Sequence, residues 1–156
     1  MIGDDGRYRE VPLGGSLAAD FLHRPDGSIV VTSREPLGAH AERLTDRFLH
    51  WAEVAPDRTL VAKRVQGVDW RRVGYGEAAR AARSIAQALL DRGLSAERPV
   101  VVLSENDIEH LELALGAMLA GVPYAPISTA YSLVSQDFGK LKHIAGLLTP
   151  GLVYAS

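Results

Sequence analysis

The sequence predicts an α/β fold: a mostly parallel sheet with crossover helices, preceded by a small β-hairpin segment. Three observations carry this. Apolar, β-branched runs alternate with stretches of helical period along most of the chain. One of those runs, Pro99-Val100-Val101-Val102-Leu103, is apolar without alternation, as a strand covered on both faces must be. Glycines fall where the predicted helices should stop. Such β–α alternation implies right-handed crossovers.

In chain order, Pro25-Asp26-Gly27 before Ser28-Ile29-Val30-Val31-Thr32 predicts a hairpin. Leu44, Phe48, Trp51, Ala52 and Ala55 recur at helical spacing over 41–55 and are stopped by Pro56 and Asp57. Thr59–Val65 and the more polar Val68–Val73, joined by Gln66-Gly67, predict an antiparallel pair. A helix follows over 75–92, with Ala78, Ala81, Ala82, Ile85, Ala88 and Leu89 as its apolar stripe and Gly93 as its stop. After the Val100 strand come a helix over 107–120 carrying Ile108, Leu111, Leu115 and Met118, then Gly121 and a strand over 122–127. A Ser/Thr/Tyr loop leads to a helix over 136–148 and a last strand over 151–155. The chain ends directly after that apolar strand. This reads either as a small domain whose last strand is the sheet edge or as the front piece of a longer enzyme, and an exposed edge invites self-association.

Composition narrows the chemistry. The 156 residues are 47% hydrophobic and 23% charged, enough for one core without cross-links. No cysteine is present, which excludes disulfides, thiolate metal sites and a cysteine nucleophile. The net charge of −2 comes from interspersed charges, so no nucleic-acid partner is expected. The start lacks a basic and apolar leader pattern and no apolar run is long enough to span a bilayer, so the expectation is a cytoplasmic protein without a membrane partner.

Few motifs carry chemistry on their own. Gly74-Tyr75-Gly76-Glu77-Ala78-Ala79 satisfies G-x-G-x-x-A at a helix start, the pattern that places backbone amides on a pyrophosphate. Its preceding strand is polar and no acidic residue lies about 20 positions on at the end of a second parallel strand, so Gly74 as N-cap with Glu77 reaching back is the simpler reading. No phosphate loop, nucleophile elbow or His-x-x-x-His pair occurs, and Glu109, His110 and Glu112 read as a solvated helix face rather than a metal site. Ser104 and Asn106 follow the Val100 strand, and Ser128-Thr129-Ala130-Tyr131-Ser132 follows the next. Both lie at the carboxyl ends of strands, where open α/β sheets bind ligands, although capping of the following helix also explains Ser104 and Asn106.

Taken in order, Leu44-x-x-x-Phe48-x-x-Trp51-Ala52 with Pro56-Asp57-Arg58, then Val73-Gly74-Tyr75-Gly76-Glu77-Ala78, resemble the opening of the AMP-forming acyl-CoA synthetases of the adenylate-forming ligase superfamily. Tyr75 and Glu77 match that family's Leu-Thr-Tyr-x-Glu-Leu, with Gly74 where its Thr stands. Leu90-x-x-Arg92-Gly93-Leu94, Arg98-x-Val100, Ser104-x-Asn106-x-x-Glu109 and Ala120-Gly121-Val122-Pro123-Tyr124-Ala125-Pro126-Ile127 continue the likeness, which covers about 44–156. Arg34-Glu35-Pro36-Leu37-Gly38, the stretch from Ala130 to Leu141, and Leu148-Thr149-Pro150-Gly151-Leu152-Val153 resemble the feruloyl-CoA synthetase branch.

The resemblance implies residues 1–40 as an N-terminal extension and 41–156 as the first, incomplete part of the ligase N-terminal domain. It implies a parent enzyme that adenylates a hydroxycinnamate with ATP and magnesium and passes the acyl group to coenzyme A. The family's phosphate loop, adenine segment, ribose-binding Asp and late catalytic Lys have no counterpart here. No catalytic, cofactor-binding or metal residue is therefore assigned, and this piece is expected to be inactive and to bind no cofactor. Its partner is the remainder of its own chain. Tyr75, Glu77, Asn106, Gly121 and Pro126 are expected as structural positions, and Ser128 and Tyr131 as candidates facing the substrate side. The rival readings are a free-standing, non-catalytic α/β interaction module and a dinucleotide-binding domain built on Gly74-x-Gly76.

Overall fold

The computed structural model describes residues 18–156, and two compact units divide between His40 and Ala41. The first unit holds an antiparallel hairpin, β1 (Ala19–His23) and β2 (Ile29–Ser33). Its turn is closed by Arg24 and Ser28, with the Asp26 carboxylate accepting from the Ser28 amide at 2.9 Å.

The second unit begins with α1 (Leu44–Val54). Leu44, expected on its buried face, is 81% exposed. The inward stripe is Thr45, Phe48, Leu49 and Ala52 instead, at i, i+3, i+4 and i+7, because Phe48 must meet the Tyr75 ring and the core beneath it. Strands β3 (Thr59–Val65) and β4 (Asp69–Gly74) form a separate antiparallel ribbon. Helix α2 (Tyr75–Asp91) follows without a break.

The parallel sheet consists of β5 (Val100–Leu103), β6 (Tyr124–Pro126) and β7 (Leu152–Ala155) in the order β6-β5-β7. β5 is central, as its unbroken apolar run requires, and Val100, Val101 and Val102 are buried. β6 is shorter than its apolar stretch, and Pro126 ends it at an outer position where a missing N–H costs no ladder bond. Between the strands run α3 (Ile108–Ala120) and α4 (Gly139–Leu148). α4 starts three residues later than the periodicity predicts. Ser135 and Asp137 bond the backbone ahead of it, Asp137 accepting from the Gly139 amide at 3.0 Å, and Phe138 takes a left-handed conformation.

Helices α2 and α3 both end on glycine at positive φ, Gly93 at 64° and Gly121 at 68°. In each, the glycine amide and the next amide bond carbonyls of the last turn: Gly93 to Leu90 and Leu94 to Leu89, Gly121 to Met118 and Val122 to Ala117. The second of these turns aims Val122 into the core and the chain into β6.

α3 joins two apolar clusters. Ile108 and Leu115 pack with Phe48, Val73, Ala78, Ala79 and Ala82; Leu113 and Ala117 pack with Leu89, Leu94, Val100, Val102 and Val122. Its approach to α2 is close enough that a Cβ at Gly116 would stand 2.5 Å from Ile85 Cγ2 and 2.7 Å from Ile85 Cβ. Ile85 is β-branched and cannot swing away. Gly116→Ala is therefore expected to lower stability by about 1 kcal/mol net in urea unfolding, the overpacking cost exceeding the ~1 kcal/mol gain in helix propensity.

Candidate functional site

At the carboxyl ends of β5 and β6 the chain turns away from the sheet and leaves a cleft of about 530 Å³ lined by Ser104, Glu105, Asn106, His110, Pro126, Ile127, Ser128 and Thr129. Open α/β sheets present ligand sites at this edge. Asn106 is free to line it because the α3 cap falls one residue later: the Asp107 carboxylate accepts from the His110 amide at 2.6 Å. The other oxygen of Asp107 accepts from Ser156 Oγ, at 3.2 Å, just past β7. His110 Nδ1 lies 2.9 Å from Ser104 Oγ and 3.3 Å from the Glu105 carbonyl. Ser104 is buried, so this bond satisfies its hydroxyl while Asn106 and Ser128 stay exposed. A capping bond, an imidazole bridge and a strand-end serine thus hold the 104–107 loop in one shape.

A second cleft of about 410 Å³ adjoins the first and shares Asn106 and His110 with it. Its other walls are mostly apolar: Val61, Ala62, Ile108, Leu111, Ala114 and Tyr124, with Lys63 and Asp107 beside them.

The first cleft is without a lysine or arginine side chain, while the Glu105 carboxylate lines it. Burial, reinforced by Asp107 and Glu109, pushes the Tyr154 hydroxyl up from its ordinary range. Such a cleft does not fit a triphosphate, which needs cationic donors. Among the described residues no group of three His, Cys, Asp or Glu is placed to hold a metal ion. The donors present, hydroxyls and an amide, suit a neutral polar group.

Glu109 is exposed, as the solvated-face reading expects, and is also paired. Its carboxylate pairs with Arg71 of β4 at 2.6 Å, tying the ribbon to α3, and that bond holds Glu109 below the ordinary glutamate range. Burial, with Glu109 as a like-charged neighbour, pushes Glu112 up.

The Gly74-x-Gly76 segment binds its own chain. The Tyr75 amide donates to the Arg58 carbonyl at 3.0 Å and the Gly76 amide to the Pro56 carbonyl at 2.9 Å. A Cβ at Gly76 would stand 2.8 Å from Pro56 Cβ, so glycine here admits the Pro56 turn rather than a pyrophosphate. The expected Glu77 cap is absent as well: no side-chain bond caps α2, because the Pro56 and Arg58 carbonyls already serve its first amides. Both corrections remove the dinucleotide reading.

Of the other expected positions, Tyr75 packs beside Phe48, Gly121 closes α3, and Asn106, Pro126 and Ser128 line the first cleft. Tyr131 lies outside that lining; its ring sits beneath the Lys140 ammonium, 5.0 Å from the centroid. Thr129 lines the cleft as part of the 128–132 segment that the sequence places at this edge, and His110 joins it without having been singled out. The signal for His110 was its position three residues after an Asp that caps the helix, which brings its ring back over the strand end.

Comparison with known proteins fits this geometry. The family model described as AMP-binding enzyme matches residues 48–138, and the chain belongs to that family. Tyrocidine synthase 1 of Brevibacillus parabrevis is 32% identical over 93 residues, 60% of this chain and 8% of that protein. The nonribosomal peptide synthetase FmoA3 superposes with a TM-score of 0.63 at 29% identity, over 78% of this chain and 12% of its own. The fatty acid AMP ligase of Legionella pneumophila shares the fold with a TM-score of 0.66 at 19% identity, over 74% of this chain and 20% of its own. The fold is that of the N-terminal domain of adenylate-forming ligases, and the chain spans a small part of each of these relatives.

Two outcomes are expected. Asp107→Ala should cost about 1–2 kcal/mol by loss of the α3 cap and move the His110 amide resonance. In a carboxyl NMR titration Glu109 should protonate at lower pH than Glu112, and Arg71→Gln should raise the Glu109 midpoint. Because the folded-state value of Glu109 is depressed, the stability it adds is present above the ordinary glutamate pKa and is lost as pH falls through the folded value. In Arg71→Gln that share of the acid dependence should shrink, the backbone bond to Glu109 and the charge of Lys63 remaining.

Proposed function

We propose that this chain is the N-terminal portion of an AMP-forming acid–CoA ligase acting on feruloyl or related hydroxycinnamic acids. In the reaction a carboxylate oxygen of the acid attacks the α-phosphorus of ATP, a C–O–P anhydride forms and pyrophosphate leaves. The coenzyme A thiolate then attacks the acyl carbon and AMP departs. The observation that carries the ligase reading is the family match across residues 48–138. The narrower choice of acid rests on the sequence resemblance of Arg34–Gly38 and of the segments after Ala130.

ATP, magnesium and coenzyme A belong to the whole enzyme. The first cleft offers no Lys or Arg to a triphosphate, so the remainder of the polypeptide must supply those donors. This chain's part is a wall at the strand ends, where Asn106 and Ser128 offer hydrogen bonds. We place the protein in the cytoplasm; no helix among the described residues is long and apolar enough to cross a membrane. A second reading, an amino-acid-adenylating enzyme, is favoured by the likeness to tyrocidine synthase 1.

Pyrophosphate exchange into ATP by the polypeptide that carries this segment together with the rest of a ligase tests both. Exchange dependent on ferulate or another hydroxycinnamate supports the first reading; exchange dependent only on amino acids replaces it with the second. The 156-residue chain alone is expected to show no exchange and no saturable binding of ATP, NAD, coenzyme A or ferulate. Saturable micromolar NAD binding would instead give this piece a nucleotide site of its own.

A further inference from the structure

The register of the β3–β4 ribbon gives it two unlike faces, since side chains alternate along a strand. Val61 opposite Val73 and Lys63 opposite Arg71 share one face. Val73 is fully buried and Arg71 bonds Glu109, so this face lies against the helices. Ala62 opposite Arg72 and Arg64 opposite Trp70 share the other face, which points away from them. There Arg64, Trp70 and Arg72 are exposed, Trp70 to 48%. The Arg64 guanidinium lies 5.1 Å from the Trp70 ring centroid. Among the described residues neither Arg64 nor Arg72 pairs with a carboxylate. Asp69, the acidic residue of the ribbon, stands opposite Val65 on the other face.

Core packing does not account for a half-exposed indole between two unpaired guanidiniums. Trp and Arg are the residues that dominate binding at protein interfaces. A strand face is flat, whereas small-molecule sites are concave, so a macromolecule is the better occupant. The positive charge asks for an anionic partner, and two guanidiniums on a short ribbon fall short of the basic stripe that a nucleic acid backbone requires, which favours an acidic protein segment. The geometry narrows it further. Arg64 and Arg72 are diagonal neighbours across the pair, about 7–8 Å apart at the backbone. Carboxylates at alternate positions of an extended segment repeat at about 7 Å. We infer that the Arg64–Trp70–Arg72 face docks an extended acidic segment of a partner protein, with Asp or Glu at alternate positions pairing the two guanidiniums and an apolar side chain lying on the indole. This surface is separate from the cleft at the strand ends.

The test uses a synthetic peptide with Ser-Glu-Ser-Glu-Ser-Leu at its centre, which puts two carboxylates and the apolar side chain on one face of the extended segment, its Gln-for-Glu counterpart, and oligothymidine. The protein has two tryptophans, Trp51 and Trp70, so two indole N–H resonances report on it. The Glu peptide should shift the Trp70 indole saturably and leave Trp51 in place. Its affinity should fall about tenfold on raising salt from about 50 to about 300 mM, and about tenfold again in Arg64→Gln/Arg72→Gln with the α2 and α3 amide spectrum unchanged. Trp70→Phe should keep the salt dependence while weakening binding, a check independent of the double variant. The inference is overturned if the Trp70 indole does not move, if the Gln peptide or the double variant responds equally, if oligothymidine binds more tightly than the Glu peptide, or if the resonance moves with protein concentration alone.

Discussion

The approach of α2 to α3 at Gly116 is the constraint from which the rest of the second unit follows. With a Cβ there, Ile85 would have to move, and Ile85 also packs against the cluster that covers β5. Because α3 is apolar on two sides, its position fixes both clusters at once. One side receives Phe48 and Val73 from α1 and the ribbon; the other receives Val100 and Val102 from the sheet. A change at this contact propagates to both, since a close-packed interior transmits displacement rather than absorbing it.

From that contact the candidate site follows in short steps. α3 is positioned by α2, its first turn is held by Asp107, and His110 is thereby carried back over the end of β5 to Ser104. The loop between Ser104 and Asp107 is thereby tied at both ends and at the Glu105 carbonyl, which limits how far its donors must reorganise when a ligand arrives. The first cleft at that edge has no Lys or Arg in its lining, so it is not built to grip phosphate. This agrees with a chain that spans a small part of its relatives' length.

Much of the fold was legible in the sequence because its signals are local. The unalternating Val100–Leu103 run specified a central parallel strand, Gly93 and Gly121 specified helix ends, and Gln66-Gly67 specified the ribbon turn. Other placements rest on conditions no local pattern contains. Leu44 faces solvent because the partner of α1 selects which stripe is inward. Gly76 mimicked a phosphate-binding turn because close approach of a proline and close approach of a pyrophosphate make the same demand on the chain. Tyr131 stands away from the cleft because the turn after Ser128 carries it toward Lys140.

Sequence alone determined the alternation of strands and helices, where each helix stops and the family likeness, since these rest on side-chain type and spacing within one element. Tertiary structure decided the strand order β6-β5-β7, the bonding of His110 to Ser104, the pairing of Arg71 with Glu109 and the outward face of Trp70. Each of these joins residues of different segments or depends on which side of an element the core occupies, and only the packing of the whole unit fixes that.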